Sequence, residues 1–396
     1  MDYHGITMQG EKMEQKVATL PAWAADDEGR TIYVEDENKM YYANDTQWVC
    51  YVDNDRNAII NGDFNIWQRG TSFVALTTSM KMADRFRYDK VGAMVHTVSR
   101  DTDVPTQVES GHKSNYSLKV DCTTIDAAIA AGDFIAISQM VEGYNFASFV
   151  GKTATLSFWV KATKPGIYCV SFRNTPVADR GYVSEYTINV ANTWEKKTVT
   201  LIFNYTGGTW DYTNGIGIEV TWTLASGTNF HTTTGTWQNG DFYGTANQVN
   251  GVDSTDNNFW LAQVQFELGS VATDFEYRQF GDELARCQRY YEKSYDYDVA
   301  PGTAGGAGAF ITYYSIATAG ECAPSISYPV TLRANPTITI YSTESGTVGK
   351  KYNASDAVDE NMTGFNSSGE RGHSGSNTSH VVAKVYRFHY TSDAEL

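Results

Sequence analysis

Between residues 151 and 267 the chain alternates apolar and polar side chains with a period of two, run after run. In TATLSFWVKA, Leu156, Phe158 and Val160 share one parity while Thr155, Ser157, Trp159 and Lys161 share the other. KTVTLIF aligns Val199, Leu201 and Phe203, and IGIEVTW aligns Ile216, Ile218, Val220 and Trp222. In WLAQVQFE, Trp260, Ala262, Val264 and Phe266 oppose Leu261, Gln263, Gln265 and Glu267. Strand side chains point alternately to two faces, so this period calls for sheets with one face in a core. Polar turns rich in Gly, Asn and Thr separate the runs, and helical periodicity is nearly absent. Together these features predict an all-β chain whose central domain, residues 58–280, is a jelly-roll β-sandwich.

The flanks carry weaker patterns. Within residues 1–57, three short β-prone runs (32–34, 40–42 and 48–52) are separated by turn formers and predict a small meander behind an irregular arm, residues 1–22. So small a module buries little by itself, which implies packing on copies of itself or on another protein. Residues 281–396 open with GDELARCQRYYEK, predicted as a connecting helix. Leu284, Cys287 and Tyr291 form its stripe, and Asp282 and Glu283 lie at its positive end. Strands are then expected at 310–316, 325–332, 337–341 and 381–390, making a C-terminal β-sandwich domain with a long polar loop at 345–379.

Charge and cysteine content narrow the partners. The net charge is −16 with only 19% charged residues, which argues against nucleic acid and against an anionic lipid surface. The start shows no basic segment followed by an apolar one, and no run is apolar enough for a spanning helix, so neither secretion nor membrane insertion is expected. Five cysteines without a CxxC pair imply reduced, mostly buried thiols in a protein made in a cytoplasm.

No catalytic constellation emerges. Asp53, Asp55 and Asn57 begin like a calcium loop, but Ala58 takes the turn-glycine position and Phe64 that of the bidentate acid. Residues 372–375, GHSG, lack nucleophile-elbow spacing. The histidines form no zinc pair, and GTVGK at 346–350 is too short to cradle phosphate. Nothing singles out a carboxylate pair for glycoside hydrolysis among 46 acidic residues. Catalytic residues, metals and cofactors are therefore expected to be absent. The stretch INGDFNIWQRGTSF, residues 60–73, predicts an opening strand that buries Ile60, Phe64 and Ile66 after a turn at 61–63. Trp67 is expected to plug the sandwich end, and Arg69 to serve a structural turn or ion pair.

Aromatic residues in polar loops are the better binding signal. Trp210, Tyr212, Trp237, Phe242 and Tyr243 lie in Gly/Thr/Asn-rich segments. Flat faces with few rotamers to freeze suit stacking on sugar rings or protein patches, although such rings also cap cores and fill subunit interfaces. Trp210, Tyr212 and Trp237 are one candidate surface. Phe365, Arg371 and His373 in the long loop are another, with plain disorder as the alternative for that loop.

Three segments carry a family resemblance. NAIINGDFNIWQRGTSF with MADRFRYD (57–73 and 82–89), GKTATLSFWVKA (151–162) and the run from 259 to 294 together resemble a sandwich domain of bacteriophage tail fibres and related virion proteins. The end, FHYTSDAEL, and the front module at 27–49 are similar to the corresponding parts of such fibres. NGDF and VQFE also resemble carbohydrate-binding modules that hold a structural calcium, but Ala262 and Gln263 stand where acids would be expected. The resemblance implies a homotrimer in the virion, attached by its N-terminal region to other tail or capsid proteins. It further implies that the C-terminal loops touch a host surface glycan or protein. The alternatives are a purely structural head-fibre, adaptor or collar part, and a polysaccharide depolymerase.

Overall fold

The computed structural model describes residues 15–34, 39–43, 48–50, 55–203, 206–313, 320–321, 325–362, 364–365, 367–375, 379–381 and 383–396. At its centre two antiparallel sheets face each other. One has seven strands in the spatial order Trp237–Gln238, Gly181–Ile188, Gly166–Arg173, Ile216–Ser226, Phe134–Glu142, Phe86–Val91 and Met80–Lys81. The other has six, in the order Glu195–Ile202, Thr153–Ala162, Asn258–Leu268, Ser117–Thr124, Val95–Asp101 and Ser72–Leu76. Leu156, Phe158, Val160, Val199, Leu201, Ile218, Val220 and Trp222 fill the single core between them, as their alternation requires.

One expected parity reverses within a strand. The core takes Phe259 and Leu261 and then Val264 and Phe266, so Trp260 and Ala262 point away from it. Gln263 has φ 47°, and the register against Thr153–Ala162 slips between Ser157 and Trp159. The extra residue of a β-bulge turns the strand over, which strict alternation does not anticipate.

Residues 58–71 form turns rather than the expected opening strand. Asn61 and Phe64 have φ of 62° and 53°. The Asn61 side chain pins the loop, donating to the Ile66 and Asp84 carbonyls at 2.8 and 3.0 Å and accepting from the Ile66 N–H at 2.9 Å. Gly62 is required by contact, because a Cβ there would sit 2.1 Å from the Val264 carbonyl oxygen. The result divides the apolar residues between two cores. Phe64 and Trp67 enter the sandwich, while Ile60 and Ile66 pack with Cys287 and Tyr290 beneath the helix. A straight strand could bury only one face; the turn buries both.

The helix spans Phe280–Gln288, shorter than predicted. Tyr291 leaves it for a strand, Tyr291–Lys293, paired with Thr391–Asp393 of the final strand Val385–Asp393. That final strand also pairs with Phe310–Tyr313, Thr337–Ser342 and Lys350–Asn353. A three-stranded sheet of Ser325–Ser327, Gly372–Ser374 and Ser367–Gly369 shares a core with it through Ile326, Tyr328, Ile340, Phe388 and Tyr390. The stretch expected as one long loop therefore holds two hairpins, Lys350–Asn353 with Val358–Asn361 and Ser367–Gly369 with Gly372–Ser374. Polar strands of this kind carry no apolar alternation to betray them.

At the front, Thr31–Val34, Lys39–Ala43 and Trp48–Cys50 form the meander, with Gln15–Val17 added in parallel. Its core is Ile32, Val34 and Tyr41. Residues 1–14 of the expected arm lie outside the described residues. Cys122, Cys169 and Cys287 are buried free thiols, and the side chains of Cys50 and Cys322 lie outside the described residues. Among the described residues no helix is long and apolar enough to cross a membrane.

Charged side chains tie the final residues to the sandwich. Arg69 lies 3.6 Å over the Tyr291 ring and pairs with Asp393 at 3.4 Å and Glu395 at 3.5 Å. Burial works against its charge, but Glu395, Asp84 and Asp393 outweigh it and raise the Arg69 pKa. Arg85 lies 3.5 Å over Tyr290, donates to the Met140 carbonyl at 2.6 Å and pairs with Glu395. Glu142 accepts from Arg289 Nη2 and from the Tyr290 hydroxyl, each at 2.6 Å. Arg69 thus takes the structural ion-pair role expected of it.

Candidate functional site

At one end of the sandwich the chain leaves the strand Glu195–Ile202, buries Phe203 and reverses through Gly207 and Gly208, with φ of 105° and 79°. Gly208 packs so closely on Arg180 that a Cβ would lie 2.6 Å from the Arg180 Cβ. This reversal delivers Trp210 beside Trp237, which the edge pairing with Gly181 and Tyr182 holds in place. The two indoles meet edge to face at 5.7 Å and 83°. Trp237 also contacts Tyr182 at 5.4 Å and Phe203 at 5.7 Å; Trp210 lies 5.5 Å from buried Phe146. Tyr212, 40% exposed, stacks on the same Phe146 at 6.1 Å and 11°.

Hydrogen bonds fix the indoles, and Trp210 and Trp237 remain half-buried. Trp210 Nε1 donates to the Gly207 carbonyl at 2.9 Å, and Trp237 Nε1 to the Ile202 carbonyl at 2.8 Å. A polar rim surrounds them. Arg180 Nη1 donates to Asn239 Oδ1 at 2.7 Å. Hydrogen bonds from Asn174 and the Thr209 backbone hold Asp179 below the usual carboxylate range, and those from Thr213 do the same for Asp211. Preset aromatic faces with charged and amide groups at the edge can stack on the apolar side of a ring and bond its polar substituents.

Tyr243 serves the fold instead, and Phe242 is half-buried. Tyr243 is buried and stacks on Phe134 at 4.3 Å, with the Arg173 guanidinium 3.8 Å over its ring. Arg173 in turn pairs with buried Glu219 at 2.6 Å. Residues 227–250 thereby fold over the outer face of the seven-stranded sheet and place Trp237 at its edge.

The second candidate set is split. His373 is buried in the C-terminal core, with Nδ1 2.8 Å from the Tyr328 hydroxyl and its ring 4.0 Å from Phe365. Burial pushes its pKa down to about 4. Phe365 is half-buried against Phe388 at 5.9 Å. Arg371 is exposed in the turn between two strands. The hairpin strand Gly372–Ser374 turns His373 inward, so a compact polar sequence hides a core position.

Sequence reasoning did not connect Asp63 with residues far along the chain. Its carboxylate accepts from Ser114 Oγ and from Asn65 Nδ2 at 2.9 Å, and it faces His112 Nε2 at 3.0 Å. Gln263 Nε2, brought inward at the bulge, donates to Ser114 Oγ at 3.0 Å. Amide and imidazole groups thus surround Asp63. NGDF and the Gln263 that precedes VQFE were the available signal, but they named no partner for Asp63.

No family model matches the chain, and no curated protein does. Among solved structures, the bacteriophage CBA120 tailspike protein 4 enzymatically active domain matches with 16% identity and TM-score 0.29. The match covers 54% of this chain and 21% of that one, so the chain spans about a fifth of the tailspike domain. TmCBM61 with β-1,4-galactotriose matches at 11% identity and TM-score 0.27, over 55% of this chain and 100% of that one. The family 11 carbohydrate-binding module of Clostridium thermocellum with a β-1,3-1,4-mixed-linked tetrasaccharide matches at 8% and 0.28, over 52% and 99%. Likeness of this degree carries no inference about activity or ligand.

Proposed function

We propose that the chain is a non-enzymatic fibre protein of a bacteriophage virion that binds a glycan of the host surface. In this reading it is a homotrimer. The small N-terminal module joins other tail or capsid proteins, and the sandwich and C-terminal domain face the host. The observation that carries the glycan reading is the cluster of Trp210, Trp237 and Tyr212, with tethered, half-buried indoles and an exposed tyrosine in a charged rim. The resemblance of residues 57–73, 151–162 and 259–294 to fibre domains supports the virion setting.

The test is titration of the full chain with oligosaccharides from host capsule or lipopolysaccharide, comparing wild type with Trp237→Ala. Loss of about 2 kcal/mol, or about 30-fold in affinity, is expected for a ring at the centre of such a contact. Because Trp237 also packs on Phe203, near-ultraviolet circular dichroism checks that the sandwich stays intact. Unchanged affinity in a folded variant overturns the assignment. Reducing ends released by the purified protein would replace binding with depolymerisation. Sedimentation checks the trimer, and particle adsorption by Arg371→Ala tests the C-terminal surface without disturbing the core.

A further inference from the structure

A cleft of about 160 Å³ opens beside the INGDF turn, between residues 61–66, 113–115 and 275–283. One wall is aromatic. Phe275, Tyr277 and Phe280 line it, and Tyr277 and Phe280 are 60% and 46% exposed. Such exposure of neighbouring large rings is unusual for surface that has no partner. These rings are held in position: the His112 ring packs 5.0 Å from Phe275 and 5.6 Å from Tyr277, and Asp63 holds His112 through Nε2. Phe280 is braced edge to face on Tyr297 at 5.2 Å.

The ionic groups of the floor are already satisfied. Glu276 accepts from the N–H groups of Asp55 and Asn57 at 2.8 and 2.7 Å. Glu283 pairs with Arg278 at 3.2 Å. The floor therefore asks for neither a metal ion nor a phosphate. Lys113 and Asn115, both exposed at the rim, make no side-chain hydrogen bond or ion pair among the described residues. The site thus offers an aromatic wall, a floor whose charged groups already have partners, and two free donor groups. Its volume is about five times that of one water in the liquid, which suits a single sugar ring rather than a helix.

We propose that this cleft is a second saccharide site, taking one pyranose unit against Phe275, Tyr277 and Phe280, with Lys113 and Asn115 donating to its oxygens. The proposal rests on the glycan-binding reading above but uses different residues. Asp63 is then a positioning residue acting through His112. The lining carries three carboxylates, Asp63, Glu276 and Glu283, against Arg278 and Lys113, so a neutral pyranose is favoured over its uronate.

Saturation-transfer difference NMR on the full chain, with galactose, glucose, galacturonate and glucuronate as probes, tests this. Five proteins are compared: wild type, Trp237→Ala, Tyr277→Ala and the double variants Trp237→Ala/Tyr277→Ala and Trp237→Ala/Lys113→Ala. Tyr277 and Lys113 are exposed, so their substitution is expected to leave the fold intact. Sugar signal that persists in Trp237→Ala and in Tyr277→Ala but falls at least ten-fold in Trp237→Ala/Tyr277→Ala supports the site. A fall in the signal of all four sugars in Trp237→Ala/Lys113→Ala supports the role of its ammonium. Signal abolished by Trp237→Ala and unmoved by Tyr277→Ala overturns this site and leaves the first. Signal abolished by Tyr277→Ala and unmoved by Trp237→Ala overturns the first and keeps this one, and silence of the wild type overturns both. A change of sedimentation in Tyr277→Ala with the sugar signal intact makes the cleft a protein contact and also overturns the proposal.

Discussion

At the sandwich end, Trp210 and Trp237 rest their indole nitrogens on backbone carbonyls and remain half-buried. At the junction with the C-terminal domain, Tyr290 and Tyr291 are buried under the guanidinium groups of Arg85 and Arg69. Both regions rest on aromatic rings, but they differ in what supplies each polar atom. Polar atoms of the sandwich-end indoles find neutral partners within a few residues or on a neighbouring strand. Charges at the junction find one another across the whole chain, Arg85 with Glu395 and Arg289 with Glu142. Removing one there leaves a buried charge with less compensation in a site of low polarity. The first arrangement suits recognition, the second cohesion.

The sharpest way to break this contrast is Arg85→Ala. It takes one of two arginines from Glu395, leaving Arg69 at 3.5 Å, and is expected to cost about 3 kcal/mol in urea unfolding. A loss below about 1 kcal/mol would mean that the junction does not hold the domains together.

Glu292→Gln should act next, in the opposite direction. Glu292 lies in the junction strand and is 6% exposed; burial pushes its pKa up to about 7, against the weaker pull of Gln288 and Lys293. Between pH 4.5 and 7 the folded chain therefore binds the proton that the unfolded chain has released, so this group makes stability fall as pH rises. The Gln variant should gain little at pH 4.5 and about 2–3 kcal/mol above pH 7. An equal gain at both pH values would show that its charge is not the cause.

Trp237→Ala should cost stability less, about 1–2 kcal/mol, because its ring is half-buried, while its effect on affinity is the larger one. The smallest effect belongs to Lys81→Ala. Its pair with Asp393 sits at the same junction but is about a third exposed on each side, so at most about 1 kcal/mol is expected. A loss near that of Arg85→Ala would show that burial is not what separates the two pairs.

The C-terminal domain was the least legible part of the chain. Lys350–Asn353, Ser367–Gly369 and Gly372–Ser374 are polar strands made regular by their neighbours, and His373 looks like a loop residue until Ile326 and Tyr328 pack around it. The candidate rings at the sandwich end were legible as aromatics in polar surroundings. Their meeting was not, because it depends on the Gly207–Gly208 reversal and on the edge pairing of Trp237 with Tyr182.

Alternation is local, since a strand's own period decides which side chains can share a face. The sandwich and most of its core, from Leu156 to Trp222, were for that reason determined by the amino-acid order alone. The tertiary structure decided the flip at Gln263, the division of Ile60 and Phe64 between two cores, and the pairing of Asp63 with His112 and of Arg69 with Asp393. Each depends on which groups remain unsatisfied when distant segments meet, and no local period records that.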